Sequence, residues 1–201
     1  MTAVEPQLLP GWDGMTWLVP ALLGYLLGSI PSAVIVARRA GFDPRVTGDH
    51  NAGFWNVKDQ LGWRAAWPVF AGDFLKGTLA GLAGLVLGAS VWTEYVSVGA
   101  AMVGHAWPVF ARWRGGKSVL TFAGGVAVLT PVPFALAVAI LAVVAGASRS
   151  FALGARVAVA ALPLLQLAFE PPLRVAATGA LMTFIGLKFL LDHLLRRRQP
   201  R

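Results

Sequence analysis

The chain alternates apolar runs of roughly membrane-spanning length with short charged clusters, and few folds satisfy that pattern. A hydrocarbon core of about 30 Å takes roughly 20 apolar residues per helical crossing. The first run extends from Trp17 to Ala37 and meets Arg38 and Arg39 at once. A polar stretch from Arg38 to Arg64 follows, with five cations and three carboxylates. Further spans are expected at Phe74–Trp92, ending at Glu94, and at Tyr95–Phe110, closed by Arg112, Arg114 and Lys117. The apolar segment Ser118–Ala147 contains Pro131-Val132-Pro133, which suits two short helices joined at the prolines. The last spans are expected at Phe151–Phe169 and Leu173–Leu195, before Arg196-Arg197-Arg198.

These runs predict an all-α, polytopic membrane bundle of about seven crossings, folded as a single membrane domain over 1–201. Cations mark the cytoplasmic ends of spans. With the N-terminus outside and the C-terminus inside, the Arg38–Arg64 stretch, the Arg112–Lys117 loop, Ser148–Ser150 and the Arg-rich tail (196–201) all fall inside. The outer turns then hold Glu94, the proline pair and Glu170, with Arg174 the exception. The segment 1–15 is a short extracytoplasmic arm. It carries Glu5 and Asp13 but no Lys or Arg, so it lacks the basic start of a signal peptide, and the first span is expected to be retained.

Composition then excludes several classes. The chain is 57% hydrophobic and 13% charged, too little charge to cover a soluble surface. The net charge of +8 sits in clusters between spans, which argues against nucleic acid as its partner. No cysteine is present, which removes disulfides and Cys-held metals. HExxH and GxSxG are both missing.

Three polar features stand out. In the stretch Gly41–Asn56, glycines let backbone N–H groups turn toward an anion, while Arg45, Asn51 and Asn56 add side-chain donors. In Gly104–Lys117, Gly115-Gly116-Lys117 leads into an apolar helix, and the backbone donors and lysine suit a phosphate. The spacing is not that of a Walker loop, and an interfacial basic loop with a Trp anchor is the competing reading. His105, taken alone, reads as a packed helix-end histidine. Asp73 and Lys76 lie one helical turn apart at the expected edge of a span, where they can pair for function or for structure alone.

Together these stretches resemble the bacterial acyl-phosphate:glycerol-3-phosphate acyltransferase family. The pieces are Gly28-Ser-Ile-Pro-Ser32, Asp43-Pro-Arg45, Gly48, Asn51, Gly53, Asn56, Asp73-Phe-Leu-Lys-Gly77, Gly104-His105, Trp107-Pro-Val-Phe110 and Gly115-Gly-Lys117. The resemblance implies a multi-pass enzyme of the bacterial plasma membrane with its site on the cytoplasmic face. Acyl-phosphate and glycerol 3-phosphate are the implied partners, with membrane lipids around the bundle, a monomer as the default, and no metal or cofactor. It implies Asn51, Lys117, Arg45 and His105 as catalytic residues. Ser29, Gly48, Gly53, Asn56, Asp73, Lys76, Gly115, Gly116 and Ser118 are implied to bind substrate or phosphate. The chain departs from the family pattern at Asp49, His50, Phe54, Trp55, Asp59, Ser118, Ala152 and Phe189. The alternative is a re-purposed, non-catalytic homologue that binds lipid or phosphate, and a transporter ranks behind both.

Overall fold

The computed structural model describes residues 17–88 and 90–197, without the side chains of 196 and 197. The arm 1–15 and the tail beyond 197 therefore lie outside the described residues. Helices α1 (Leu18–Gly28) and α2 (Ser32–Arg39) form the first apolar run. They are interrupted where Pro31 brings no N–H and disfavours helical backbone before it. Then come α3 (Phe54–Leu61), α4 (Trp63–Leu87), α5 (Val91–Ala106), α6 (Val119–Leu129), α7 (Pro131–Ser148), α8 (Phe151–Phe169) and α9 (Pro172–Arg197). Among the described residues there is no strand.

Two expected boundaries move. The second span begins at Trp63 instead of Phe74, so Asp73 and Lys76 lie in the middle of a 25-residue helix and not at its edge. A charge ends an apolar run in sequence, but a paired and buried charge does not end a helix. The third runs Val91–Ala106 instead of Tyr95–Phe110. The Ser90 hydroxyl caps its start by accepting from the Thr93 amide, and Trp107-Pro108 stops it early. The break expected at Pro131–Pro133 falls at Thr130, with Pro131 opening α7.

Five helical runs are long and apolar enough to cross a membrane: 18–39, α4, α7, α8 and the apolar part of α9. Large apolar side chains point outward along them, including Leu22, Val86, Val143, Leu164 and Leu167. That is the surface of an integral, multi-pass membrane protein. Small residues bring the inner helices together, as lipid-embedded packing requires. On α1 and α5 the backbones meet so closely that a Cβ on Gly28 would lie 2.0 Å from the Ala101 carbonyl oxygen. On α4 and α6 a Cβ on Gly77 would lie 1.9 Å from the Thr121 oxygen.

The loops gather at two ends. At one end, Arg45 donates to the Ala111 carbonyl oxygen, and Trp55 packs against Phe151. At the other, Arg174 pairs with Glu94 at 2.8 Å and approaches Glu170 at 3.7 Å. That neutralises the cation which broke the charge pattern in sequence. Beneath it a buried network joins three helices and the α6–α7 junction: Tyr95 to Thr178 at 3.1 Å, and the Gln166 amide nitrogen to Thr130 and Thr178 at 3.0 Å each.

Candidate functional site

The 41–53 segment is wound by its own side chains. Arg45 donates its amide and Nε to Asp43 Oδ1, at 2.9 and 2.8 Å, and Nη1 to the Ala111 oxygen at 2.8 Å. Hydrogen bonding from that guanidinium holds the Asp43 carboxyl down at about 2. Arg45 thus ties the first polar loop to the second. Asn56, buried on α3, donates Nδ2 to the carbonyl oxygens of Pro44, Thr47 and Asn51 at 2.8, 2.9 and 3.1 Å. Gly48 has φ +65, and a Cβ there would stand 2.1 Å from Asn56 Oδ1. Gly48 and Asn56 therefore shape the loop from within. Asp49, whose carboxylate needs a cation if phosphate is to approach, accepts from the Asn51 amide at 3.1 Å, and Arg45 serves Asp43 instead. Asn51 Oδ1 is buried with no hydrogen-bond partner, as are Ser29 Oγ and His105 Nδ1, and a buried polar atom left so calls for a reason. Gly53 opens α3 beside Asn51, where a Cβ would lie 2.8 Å from Asn51 Nδ2.

The second polar loop lies across the end of α5. Gly115 and Gly116 donate their amides to the carbonyl oxygens of Ala106 and His105, at 3.2 and 3.1 Å. This corrects the cradle expected from the glycine pair: both N–H groups face the helix end, where unpaired carbonyls collect, and not an anion. Ser118, left-handed at φ +63, donates its buried hydroxyl to the Met102 oxygen at 2.7 Å. It is a clasp onto α5. Between these fixed points Lys117 turns to α9, its Nζ 4.3 Å from the Phe189 ring centroid. Lys117, Phe189, Asp192 and His193 line an open pocket there, and Lys188 pairs with Asp192 behind it.

A third cluster lies deeper. Asp73 and Lys76 on α4 are 2.8 Å apart, and Lys76 also donates to the Ile30 oxygen in the α1–α2 break at 3.1 Å. His105 Nδ1 stands 3.6 Å from Asp73 Oδ1. All three side chains are buried. Ser29, in the same break, is fully buried with its hydroxyl unpartnered. Among the described residues no cluster of His, Cys, Asp or Glu could hold a metal ion.

The expected residues therefore divide into three groups. Arg45, Gly48, Asn51, Gly53 and Asn56 meet in the first loop. His105, Asp73 and Lys76 meet beneath the second, with Ser29 in the break that Lys76 reaches and with Gly115, Gly116 and Ser118 pinning the loop. Lys117 faces α9. The wall of Phe189, Asp192 and His193 was not counted among the site residues. The i, i+4 spacing of Lys188 and Asp192 was the available signal for it.

The family model described as glycerol-3-phosphate acyltransferase matches residues 18–196. The glycerol-3-phosphate acyltransferase of Rubrobacter xylanophilus is 44% identical over 153 residues, 76% of this chain and 76% of that protein. The one of Thermus thermophilus is 36% identical over 184 residues, 89% of each. Among solved structures, PlsY (YgiH), an integral membrane glycerol 3-phosphate acyltransferase, aligns in its glycerol 3-phosphate form with a TM-score of 0.77 at 28% identity. That alignment covers 93% of this chain and 96% of the other. The lysophosphatidic acid form gives a TM-score of 0.75 over 93% and 95%.

Proposed function

The chain belongs to the glycerol-3-phosphate acyltransferase family, and from that premise we infer that it transfers a fatty acyl group from acyl-phosphate to the 1-hydroxyl of glycerol 3-phosphate. The hydroxyl oxygen bonds to the acyl carbon and the anhydride C–O bond to phosphate breaks. The hydroxyl proton leaves with the phosphate, and the lipid product is lysophosphatidic acid. The observation that carries this reading is the match of nearly the whole fold to a solved acyltransferase in both glycerol 3-phosphate and lysophosphatidic acid forms.

An acyl-phosphate is already a mixed anhydride, so the protein supplies position and charge and no covalent nucleophile. In this reading Lys117 neutralises substrate phosphate, with the exposed Arg112 and Arg114 of its loop drawing anions to the mouth. Asn51 Oδ1 accepts from a glycerol hydroxyl. Arg45 holds the two loops in register, its charge partly offset by Asp43. Gly48, Gly53 and Asn56 shape the first loop, and Gly115, Gly116 and Ser118 seat the second. The acyl tail lies among the helices.

The helices form one membrane domain that crosses seven times, with α1 and α2 as one crossing, α4 to α9 as six, and α3 at the surface. With the N-terminus outside, the site faces the cytoplasm across a bacterial plasma membrane, as the clustered cations favour.

The test is phosphate release from palmitoyl-phosphate by the detergent-purified protein, with and without glycerol 3-phosphate. Release that requires glycerol 3-phosphate and disappears in Lys117→Ala is the expected result. No release from a folded, monodisperse sample sinks the reading for this substrate pair.

A further inference from the structure

Asp73, Lys76 and His105, for which the resemblance implies binding and catalytic roles, are buried together beneath the second polar loop, and the reaction written above assigns them no step. Burying an ion pair costs free energy unless each partner is fully bonded, and an apolar pair of similar size often serves stability as well. What distinguishes Asp73 and Lys76 is what else they hold. The break at Pro31 leaves the Ile30 carbonyl oxygen accepting from the Ser32 amide at 3.1 Å in place of a helical donor, and Lys76 Nζ adds a second donor at 3.1 Å. Asp73 Oδ1, which accepts from that same Nζ, lies 3.6 Å from His105 Nδ1, in contact but beyond hydrogen-bond reach, and that Nδ1 is buried with no hydrogen-bond partner.

His105 carries the connection outward. Its carbonyl oxygen takes the Gly116 amide at 3.1 Å. Its ring lies flush against the same glycine, where a Cβ would come within 2.3 Å of Nε2 and 2.8 Å of the Ala52 carbonyl oxygen. Gly116 is thus held between the imidazole and the first polar loop, and the next residue is Lys117. The cleft over Asp73, Lys76 and His105 has room for a water molecule but not for a phosphate group.

We propose that Asp73, Lys76 and His105 are positioning residues: they lock the Gly115–Lys117 loop against the α1–α2 break and so set where Lys117 meets the acceptor phosphate. Its kinetic consequence rests on the acyltransferase reading; its structural consequence does not. Removing the device loosens the loop without removing any group that contacts the reacting atoms. The expected signature is weaker acceptor binding with turnover largely kept.

Two variants test this in the full-length, detergent-purified protein. Asp73→Leu/Lys76→Leu removes both charges and leaves neither partner buried alone. His105→Gln keeps the ion pair and removes the ring. Each is followed by trypsin cleavage within 112–117, identified by fragment mass, and by steady-state kinetics with glycerol 3-phosphate. Cleavage about fivefold faster than wild type, with KM for glycerol 3-phosphate up about tenfold and kcat within about threefold, supports the proposal. If the double variant fails to fold, His105→Gln decides alone. A folded His105→Gln protein with wild-type cleavage overturns the proposal, and so does a collapse of kcat at unchanged KM, which would make His105 a catalytic group. If the wild type transfers no acyl group, the acyltransferase reading falls, and the cleavage rates still decide the positioning role.

Discussion

Lys117 and Phe189, 72 positions apart, are in cation–π contact: the ammonium nitrogen lies 4.3 Å from the ring centroid. The contact fixes the end of a flexible side chain at the pocket shared with Asp192 and His193. An exposed contact of this kind is worth roughly 0.5–1 kcal/mol. Phe189→Leu should therefore raise KM for glycerol 3-phosphate about three- to fivefold and leave kcat within about twofold. An unchanged KM would show that Lys117 is placed by other contacts.

A pH step is expected in the first loop. The Asp43 carboxyl, held at about 2 by Arg45, lies below the usual carboxylate range. A depressed folded pKa contributes stability that is complete above the unfolded value and is lost as pH falls toward the folded one. The Asp43–Arg45 clasp should therefore be constant from pH 5 to 8 and weaken only below about pH 4. Hydrogen exchange at the Arg45 amide, corrected for its intrinsic pH dependence, should show that step in wild type. Asp43→Asn should abolish the step and leave the amide less protected at every pH.

How much of this could be seen in the sequence differs by level. The apolar runs gave the helices because membrane length is a local property. Charge marks a boundary in an apolar run, whereas the pairing of Asp73 and Lys76 with each other, and of Lys76 with the Ile30 oxygen, lets both lie within the helix. The Gly115 and Gly116 amides were expected to face an anion. Their direction is set by the last carbonyls of α5, which spacing within the loop cannot reveal. Arg174 broke the charge pattern because its partner Glu94 is 80 residues earlier. Gly24 and Gly28 on α1 gain their meaning only from Ser97 and Ala101, the α5 residues whose backbone they meet.

The outer end offers a separation of stability from activity. Arg174 bridges Glu94 and Glu170 and donates to the Leu129 oxygen at 2.9 Å. Arg174→Met leaves two carboxylates half-buried near each other. Because these groups keep some solvent contact, a loss of about 1–3 kcal/mol is expected, below that for a fully buried pair. The melting temperature in detergent should fall by several degrees, while kcat and KM at 25 °C stay at wild-type values. A kinetic change without a melting shift would place this end in communication with the site.

Sidedness is the remaining expectation with a direct measurement. Arg38, Arg39, Lys58, Arg64, Arg112, Arg114 and Arg149 lie on segments at the end where Arg45 reaches Ala111 and Trp55 packs on Phe151. The opposite end holds Glu94, Glu170 and a neutralised Arg174. Cationic loops stay in the cytoplasm, which puts Trp113 inside and Val132 outside. The chain has no cysteine, so single replacements report cleanly, and both positions are exposed. In intact bacterial cells, a membrane-impermeant maleimide should label Val132→Cys at once and Trp113→Cys only after permeabilisation. The reverse pattern would move the polar mouth to the outer face. Labelling of both from outside would mean that the chain does not cross between them as α6 requires.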